Sequence, residues 1–189
     1  IEGFARIDES DMVAKPDPTT FSLIPWRQRD TGGVARMFCD ILLPDGTPYV
    51  GDPRYVLKRN LQRAAEQGYI FYVGPELEYF YVKSPSDPTL LDSAGYFDMI
   101  DDDLGTELRQ KTMAAMASMG TIVECGHHEV APSQHEIDMR YTDALTMADQ
   151  VMTFRYLVRE VARRHNVHAT FMPKPIFGTN GSGMHVHQS

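Results

Sequence analysis

Short apolar runs, separated by turn-forming residues, fill the first 50 residues. Apolar and polar positions alternate over residues 1–8, and the runs at residues 21–25 and 34–43 are rich in types that favour strands. Pro44, Asp45 and Gly46 then follow as a turn signal. This part of the chain is therefore predicted to be rich in β-structure.

Helical spacing of apolar residues begins after Gly51. Asp52 is a suitable N-cap, Pro53 suits the first helical position, and Gly68 ends the pattern. A domain boundary is therefore predicted near residue 51, which divides the chain into residues 1–50 and residues 51–189.

Strand and helix patterns are mixed in the second part. The predicted strands lie at residues 70–73, 76–82 and 168–172. The predicted helices run from about Thr106 to Gly120 and from about Thr142 to Asn166. Gly74 and Pro75 separate the first two strands, and residues 84–103 are predicted to form a polar loop.

Composition and charge limit the class of protein. The 189 residues are 42% hydrophobic and 23% charged, which is typical of a globular protein with one sizeable core. A net charge of −8 argues against nucleic acid or an anionic membrane surface as the main partner. No run approaches the roughly 18 apolar residues of a membrane span. Cys39 and Cys125 are far apart, so neither a disulfide framework nor a thiolate zinc site is predicted, and a reduced, cytoplasmic setting is expected.

The ends of the chain predict a fragment. There is no initiator methionine, and the chain stops two residues after His187. We therefore expect the chain to be cut at both ends, so the sequence is compatible with a targeting segment upstream of residue 1.

Glu76 and Glu78 are the first candidate site residues. Two residues apart in a strand, they leave the same face about 7 Å from each other. They are ordinary surface charges if that face is exposed. Their apolar and aromatic neighbours favour a buried sheet, where two like carboxylates need a cation.

The segment of residues 124–136 is the densest group of ionisable side chains. Glu124, Glu129 and Glu136 either converge on a metal ion or form a solvated acidic edge, and Pro132 predicts an extended, turn-like backbone between them. Its histidines are His127, His128 and His135. The two adjacent histidines should point to opposite faces and are predicted to be structural or supporting, while His135 is ambiguous.

A glycine-rich turn precedes the last candidate pair. His185 and His187 share a strand face after residues 180–183, an arrangement that suits either a metal site or a turn into a core strand. Taken together, the candidates are mostly carboxylates, which favours Mg²⁺ or Mn²⁺ over Zn²⁺. Two or three such ions would serve an enzyme that handles ATP or phosphate.

Four ordered motifs resemble those of the glutamine synthetase family, in its bacterial type I class. They are Gly74-Pro75-Glu76-x-Glu78-Tyr79-Phe80, the segment from Glu124 to Glu136, Phe171-Met172-Pro173-Lys174-Pro175, and Asn180-Gly181-Ser182-Gly183-Met184-His185-x-His187. The likeness covers essentially the whole chain, including residues 1–4 and 51–54. It implies an α+β fold, with the end of a β-grasp domain followed by the first half of a catalytic domain that has an antiparallel, half-barrel sheet.

The resemblance also implies roles for individual residues. The implied ligands of one ion are Glu78, Glu129 and Glu136, and those of a second ion are Glu76 and His185. The implied nucleotide contacts are Glu124, His187, Ser189 and, more weakly, Tyr141. Asn180 and Gly181 match positions that hold the amino-acid substrate.

The implied reaction joins ammonia to L-glutamate with ATP as co-substrate. The γ-carboxylate attacks the γ-phosphate, and ammonia then displaces phosphate from γ-glutamyl phosphate. Intact members form stacked six-membered rings, a dodecamer. The acidic ammonia-handling loop falls before Ile1 and the phosphate-binding arginines fall after Ser189, so no catalytic residue is assigned here and the isolated chain is predicted to be inactive.

Three other functions remain open from the sequence. A γ-glutamyl-amine ligase of the same family would use ethanolamine, putrescine or methylamine in place of ammonium. A zinc-dependent hydrolase would also explain a density of His and Glu, although no His-Glu-x-x-His stretch is present. A non-catalytic, metal-binding relative is the third.

Overall fold

The computed structural model describes residues 11–27, 30, 32–98 and 103–189. The predicted alternation over residues 1–8 and the motif at residues 1–4 lie outside the described residues. The chain forms two compact units, Ile1–Phe71 and Tyr72–Ser189. These units are defined by contacts between residues and do not test where one domain ends and the next begins. The domain boundary near residue 51 therefore stays a prediction. None of the helices within the described ranges is long and apolar enough to cross a bilayer.

The described residues of the first unit form two small antiparallel sheets. Strand β1 (Val13–Pro16) pairs with β4 (Cys39–Leu42), and β2 (Ser22–Leu23) pairs with β3 (Ala35–Arg36). The single strand predicted at residues 34–43 is therefore wrong. Between β3 and β4, Phe38 is hydrogen-bonded instead to the 3-10 turn Pro18–Thr20 and its cap. The Phe38 N–H donates to Thr20 Oγ1 at 2.8 Å, and the Phe38 carbonyl accepts from the Asp17 N–H at 2.8 Å.

Helix α1 (Pro53–Glu66) confirms the helix predicted after Gly51. Asp52 caps it, since Oδ1 accepts a hydrogen bond from the N–H of Arg54 at 3.0 Å. The second oxygen, Oδ2, accepts from the N–H of Ile41 at 3.1 Å, so one buried carboxylate ties the helix start to β4.

Replacing Asp52 by alanine should lower the free energy of unfolding by about 1–2 kcal/mol, because the helix cap and the bond to Ile41 are lost together. Asp52→Asn keeps one oxygen acceptor and should cost less. Urea unfolding of both variants beside the parent measures the difference. An alanine variant as stable as the parent would contradict this role.

Strand β5 (Tyr72–Ser84) is the centre of the second unit. The break predicted at Gly74 and Pro75 is wrong, because the strand runs through both residues. The N–H groups of Tyr72 and Glu78 bond to Ser189 and Gly183 on one edge. By alternation, the Pro75 nitrogen faces the other edge, in the gap between two partner strands, and no ladder bond is lost there.

Every other strand of this sheet but one pairs with β5. The strands are β6 (Asp87–Leu90), β7 (Val123–His128), β8 (Gln134–Met139), β9 (Thr142–Asp143), β10 (His168–Thr170) and β11 (Met184–Gln188). Strands β9, β8 and β6 share one edge of β5, β11 and β10 share the other, and β7 pairs with the outer side of β8. All pairings are antiparallel. The predicted polar loop at 84–103 thus contains a strand, which continues β5 as a hairpin.

Two helices cover this sheet, as predicted. They are α2 (Leu104–Ser118) and α3 (Ala144–Arg164). Asp103 rather than Thr106 caps α2, with Oδ1 accepting from the Thr106 N–H at 2.5 Å. The core between helices and sheet is fully buried and contains Tyr79, Tyr81, Leu108, Met116, Ile137, Met147, Phe154, Leu157 and Val158. Phe80 is also buried, but by strand alternation it lies on the other face of β5, opposite Gln134. The fold of this unit is α+β, with an antiparallel sheet.

Candidate metal centre

Strand register places three ionisable side chains in a row across the sheet. Glu78 on β5 lies opposite Glu136 on β8, and Glu136 lies opposite His127 on β7. Glu76 and Asp138 form the next cross-strand pair on the same face. Directly opposed residues bring their Cβ atoms within about 5 Å, so this face concentrates carboxylates.

His127 lies between the carboxylates of Glu129 and Glu136. Its Nδ1 is 3.5 Å from Glu129 Oε1, and its Nε2 is 3.5 Å from Glu136 Oε2. One ligand atom from each of these three residues lies within 4.8 Å of the others. The structure thus brings together two of the predicted metal positions, and adds a histidine that was predicted to support them.

The carboxyl group of Glu136 shows the electrostatic cost of this arrangement. Burial raises its pKa to about 9, with further contributions from a hydrogen bond to Glu129 and from the charges of Asp138 and Glu78. Like carboxylates at this spacing keep one another protonated unless a cation compensates. A hard divalent ion supplies that charge and accepts oxygen ligands, so the donor set fits Mg²⁺ or Mn²⁺.

Glu78 is held by hydrogen bonds from two other segments. Its Oε2 accepts from Gln134 Nε2 at 2.5 Å and from the N–H of Gly183 at 3.0 Å. A Cβ at position 183 would lie 2.7 Å from Glu78 Oε1, so a side chain there would displace the Glu78 carboxylate from this contact. Gln134 is fully buried and also donates to the Gly181 carbonyl at 2.8 Å.

Gln134 and Asp138 are site residues that the sequence analysis did not single out. Asp138 had a signal, because it lies two residues after Glu136 in a strand and so shares its face. Gln134 had no such sequence signal, since its role depends on a contact with the segment around Gly181, which is distant in the sequence. That segment folds tightly: Ser182 N donates to the Pro173 carbonyl at 2.9 Å, and a side chain at Gly181 would collide with it.

Glu76 forms a second, more exposed group with both histidines of β11. His187 Nε2 is 2.7 Å from Glu76 Oε1, and His185 Nδ1 is 3.4 Å from Oε2. The hydrogen bond to His187 lowers the pKa of the Glu76 carboxyl. The predicted ligand pair Glu76 and His185 is therefore adjacent, and His187, predicted at the nucleotide, reaches the same carboxylate.

Three of the four predicted nucleotide contacts share one pocket. A cavity of about 160 Å³ is lined by Tyr72, Val73, Gly74, Tyr141, His187, Gln188 and Ser189. Glu124 instead lines a cavity of about 600 Å³ beside α2. It is the extra residue of a β-bulge, since Val123 and Cys125 pair with the consecutive residues Met139 and Asp138. Of the two predicted substrate positions, Asn180 is exposed and Gly181 partly buried.

His128 points to the face opposite His127, as predicted for adjacent residues in a strand. Its Nε2 is 3.1 Å from Asp92 Oδ1, and its Nδ1 is 2.6 Å from the Glu129 carbonyl. Burial acts to lower the pKa of His128, but the hydrogen bonds to Asp92 and to the Glu129 carbonyl, together with the charge of Asp92, outweigh it and raise the pKa. Behind it, Arg109 Nη1 lies 2.7 Å from Nδ1 of the buried His135. These contacts fix the turn that carries Glu129.

Ser133 closes that turn in a conformation that favours glycine. Its φ is 58°, and its hydroxyl accepts hydrogen bonds from the N–H groups of Leu91 at 2.6 Å and Asp92 at 2.9 Å. The side chain thus compensates for backbone strain by satisfying two donors.

Replacing Ser133 by alanine should lower the free energy of unfolding by about 2–4 kcal/mol, because both donors lose their partner while the strain remains. Ser133→Gly also loses the bonds but removes about 1–2 kcal/mol of strain, so it should be the milder change. Denaturant unfolding ranks the two variants. The reverse order would show that backbone strain does not separate the two variants, and an alanine variant as stable as the parent would show that the hydroxyl is unimportant.

Comparison with family models identifies both parts of the chain. A model described as glutamine synthetase, catalytic domain, matches residues 50–189, and one described as glutamine synthetase, beta-Grasp domain, matches residues 1–44. Curated glutamine synthetases from Clostridium saccharobutylicum and Thermus thermophilus are each 51% identical over the whole chain. The chain spans 43% and 44% of their lengths, less than half of each.

Solved structures give the same picture of the fold. A cryo-EM structure of Plasmodium falciparum glutamine synthetase aligns with a TM-score of 0.87 at 26% identity, covering 100% of this chain and 43% of that one. A structure of apo GmaS without ligand aligns with a TM-score of 0.85 at 30% identity, covering 97% and 44%. The predicted fold class, a β-grasp part followed by part of a catalytic domain, is confirmed.

Proposed function

The chain belongs to the glutamine synthetase family, and we propose that the complete protein ligates ammonia to the γ-carboxylate of L-glutamate with ATP as co-substrate. The products are glutamine, ADP and phosphate, formed by way of γ-glutamyl phosphate. Relatives about half identical over the whole chain, all named glutamine synthetase, support this reaction.

One observation carries the proposal. The carboxylates of Glu129 and Glu136 lie within hydrogen-bonding reach of each other on a sheet face that also carries Glu78, and burial with their mutual repulsion raises the pKa of Glu136 to about 9. Such a face is unfavourable without cations and suits an enzyme that must neutralise phosphate charge.

We assign Glu78, Glu129 and Glu136 to one divalent ion, and Glu76 with His185 to a second. Oxygen-rich ligand sets favour Mg²⁺ or Mn²⁺. When bound, such ions stabilise the negative charge that develops during phosphoryl transfer. The contribution of the protein is to hold these ligand side chains in position before the ions bind.

Tyr141, His187 and Ser189 are proposed to contact the nucleotide. The pocket that they line, at about 160 Å³, is smaller than the roughly 300–1,000 Å³ of ligand sites and would take one part of ATP. Glu124 is kept as a proposed nucleotide contact, although it lines a separate cavity.

Asn180 and Gly181 are proposed to hold glutamate. Their support is the hydrogen-bonded path from the Gly181 carbonyl through Gln134 to the Glu78 carboxylate. This path links the amino-acid segment to a proposed ligand of the first ion, so the reacting carboxylate and the metal centre would be positioned by one network.

The working form is proposed to be a cytoplasmic homo-oligomer, a dodecamer of two hexameric rings, without nucleic acid or membrane as a partner. The net charge of −8 supports the last point, since both partners attract clustered cations.

A coupled phosphate-release assay tests the reaction. The complete protein receives ATP, Mg²⁺ and glutamate, with ammonium, methylamine, ethanolamine or putrescine as the acceptor, beside a Glu129→Ala variant. Ammonium-dependent release that Glu129→Ala abolishes is expected. Release with an amine but not with ammonium would overturn the assignment of ammonia, and no release with any acceptor would overturn the ligase itself.

A further inference from the structure

A second group of metal-ligating side chains lies next to the carboxylate centre. Cys125 and His127 are two residues apart on β7 and share a face, and Asp138 lies opposite Cys125 on β8. Cys125 Sγ is 2.8 Å from Asp138 Oδ2, which in turn is 4.0 Å from His127 Nε2. One ligand atom from each residue lies within 4.8 Å of the others.

We propose that Cys125, His127 and Asp138 form a binding site for a thiophilic divalent cation of the Zn²⁺ type, separate from the Mg²⁺ or Mn²⁺ centre but sharing its histidine. Sulfur, nitrogen and oxygen ligands together suit zinc, whereas Mg²⁺ does not take a thiolate. Three protein ligands leave a fourth position for water.

The observed spacing is close to what such an ion requires. Ligand atoms around tetrahedral zinc lie about 3.5 Å apart, as follows from bond lengths of about 2.0–2.3 Å. Small side-chain rotations bring these three atoms to that spacing, because the strand register already fixes their backbones. Asp138 Oδ1 is buried without a hydrogen-bond partner among the described residues, so the carboxylate has a free acceptor.

The charges around the thiol favour a cation. Burial and the negative charges of Asp138, Glu136 and Glu124 raise the pKa of the Cys125 thiol to about 12, and the same charges attract a cation that can replace the thiol proton. Cys125 lies on the exposed part of β7, so an ion has access from solvent. Binding replaces the thiol proton: the S–H bond breaks, a sulfur–metal bond forms, and the proton leaves to water. No oxidant or reductant is required.

Occupation of this site should weaken the neighbouring centre. His127 would turn its Nε2 from Glu136, 3.5 Å away, towards the new ion, and a second divalent charge would repel the first. Zn²⁺ is therefore expected to raise the Mg²⁺ concentration needed for half-maximal activity, an effect that rests on the proposed function.

Cadmium titration tests the site without relying on enzymatic activity. The complete protein, saturated with Mg²⁺ so that the carboxylate centre is filled, is titrated with Cd²⁺ while the ultraviolet thiolate-to-cadmium charge-transfer band is recorded. The parent and Cys39→Ser should show a saturable band, and Cys125→Ser should lose it. Asp138→Asn should retain the band with an affinity at least about tenfold weaker.

Three results would overturn the proposal. They are a band that persists in Cys125→Ser, a band that Cys39→Ser removes equally, and an unchanged affinity in Asp138→Asn. Far-ultraviolet circular dichroism and the thermal midpoint of each variant confirm that the fold is retained. Cys125→Ser should also keep the parent's activity in Mg²⁺ and become insensitive to Zn²⁺.

Discussion

Replacing Glu136 by alanine in the complete protein is expected to reduce ammonium-dependent phosphate release by a factor of about a hundred to a thousand, the range found when an electrostatic contact to developing charge is removed. Glu136 is the middle residue of the cross-strand row that also contains Glu78 and His127. Its side chain is more buried than that of Glu129. Its loss removes a ligand that no neighbour can replace without moving.

The initial rate at saturating Mg²⁺ measures this effect. Glu107→Ala is a matched control, because Glu107 is an exposed glutamate on α2 whose partner is Lys111. The control should retain the parent's rate. A Glu136→Ala variant within about tenfold of the parent would contradict the role of a metal ligand.

The pH dependence of stability gives a second measurement on Glu136. Whereas replacing this residue lowers activity, replacing it should raise stability when no divalent ion is bound. Without divalent ions, the folded protein binds a proton at Glu136 that the unfolded chain has released, between the ordinary pKa of 4.5 and about 9. Stability should therefore fall as the pH rises through this window. At pH 8 in a chelator, Glu136→Gln should unfold at a higher temperature than the parent, and adding Mg²⁺ should stabilise the parent more than the variant.

Replacing Phe154 by alanine should lower the free energy of unfolding by about 3–5 kcal/mol, the range for deleting a buried aromatic ring. Phe154 on α3 is fully buried, and its ring centroid lies 5.9 Å from that of Tyr79 on β5 and 5.7 Å from that of Phe171. Tyr79 and Phe171 are 5.4 Å apart, so the three rings form one cluster. The cluster fixes α3 against the strand that carries Glu78.

Denaturant unfolding measures the loss, with Met152→Ala as the control on the same helix. Met152 is 56% exposed, and its truncation should change stability by about 0.5 kcal/mol or less. Equal effects of the two substitutions would show that the aromatic cluster does not stabilise the packing of α3. Because Tyr79 adjoins Glu78 in β5, Phe154→Ala should also lower the affinity for Mg²⁺.

Helices were the most predictable elements, because local signals determine them. Asp52 and Pro53 mark the start of α1, and the apolar stripe of residues 142–166 matches α3. The cap of α2 was misplaced by three residues. Asp103 and Thr106 are both capping types, and they bond each other, with Thr106 Oγ1 donating to Asp103 Oδ2 at 2.7 Å. Sequence spacing alone does not distinguish the two.

Strand boundaries were less predictable, because they depend on partners that are distant in the sequence. Pro75 indicates a break when only its neighbours are considered. It is tolerated because β9 and β8 leave a gap at that edge, which only the assembled sheet shows. Likewise, residues 34–43 contain one apolar run, yet β3 and β4 pair with different strands.

The candidate site was predictable where two-residue spacing applied. Glu76 with Glu78, and His185 with His187, were each placed on one strand face by that rule, and each pair has that spacing in β5 and β11. Gln134 was beyond reach, because its contact with the Gly181 carbonyl joins segments 47 residues apart. The bulge that sets Glu124 apart from the other nucleotide positions was also invisible to a spacing rule.

The central position of β5 has a consequence for folding. His185 pairs with Glu76, so the two partners are separated by roughly 110 residues, and β11 covers its edge of β5 after the other described strands have been synthesised. At a synthesis rate of about 5–20 residues per second, β5 leaves the ribosome roughly 5–20 s before this partner exists. During that interval an apolar strand with an open edge is available for pairing with other chains. Nascent chains of this protein should therefore depend on chaperones until β11 has been synthesised, and a truncation before Met184 should aggregate.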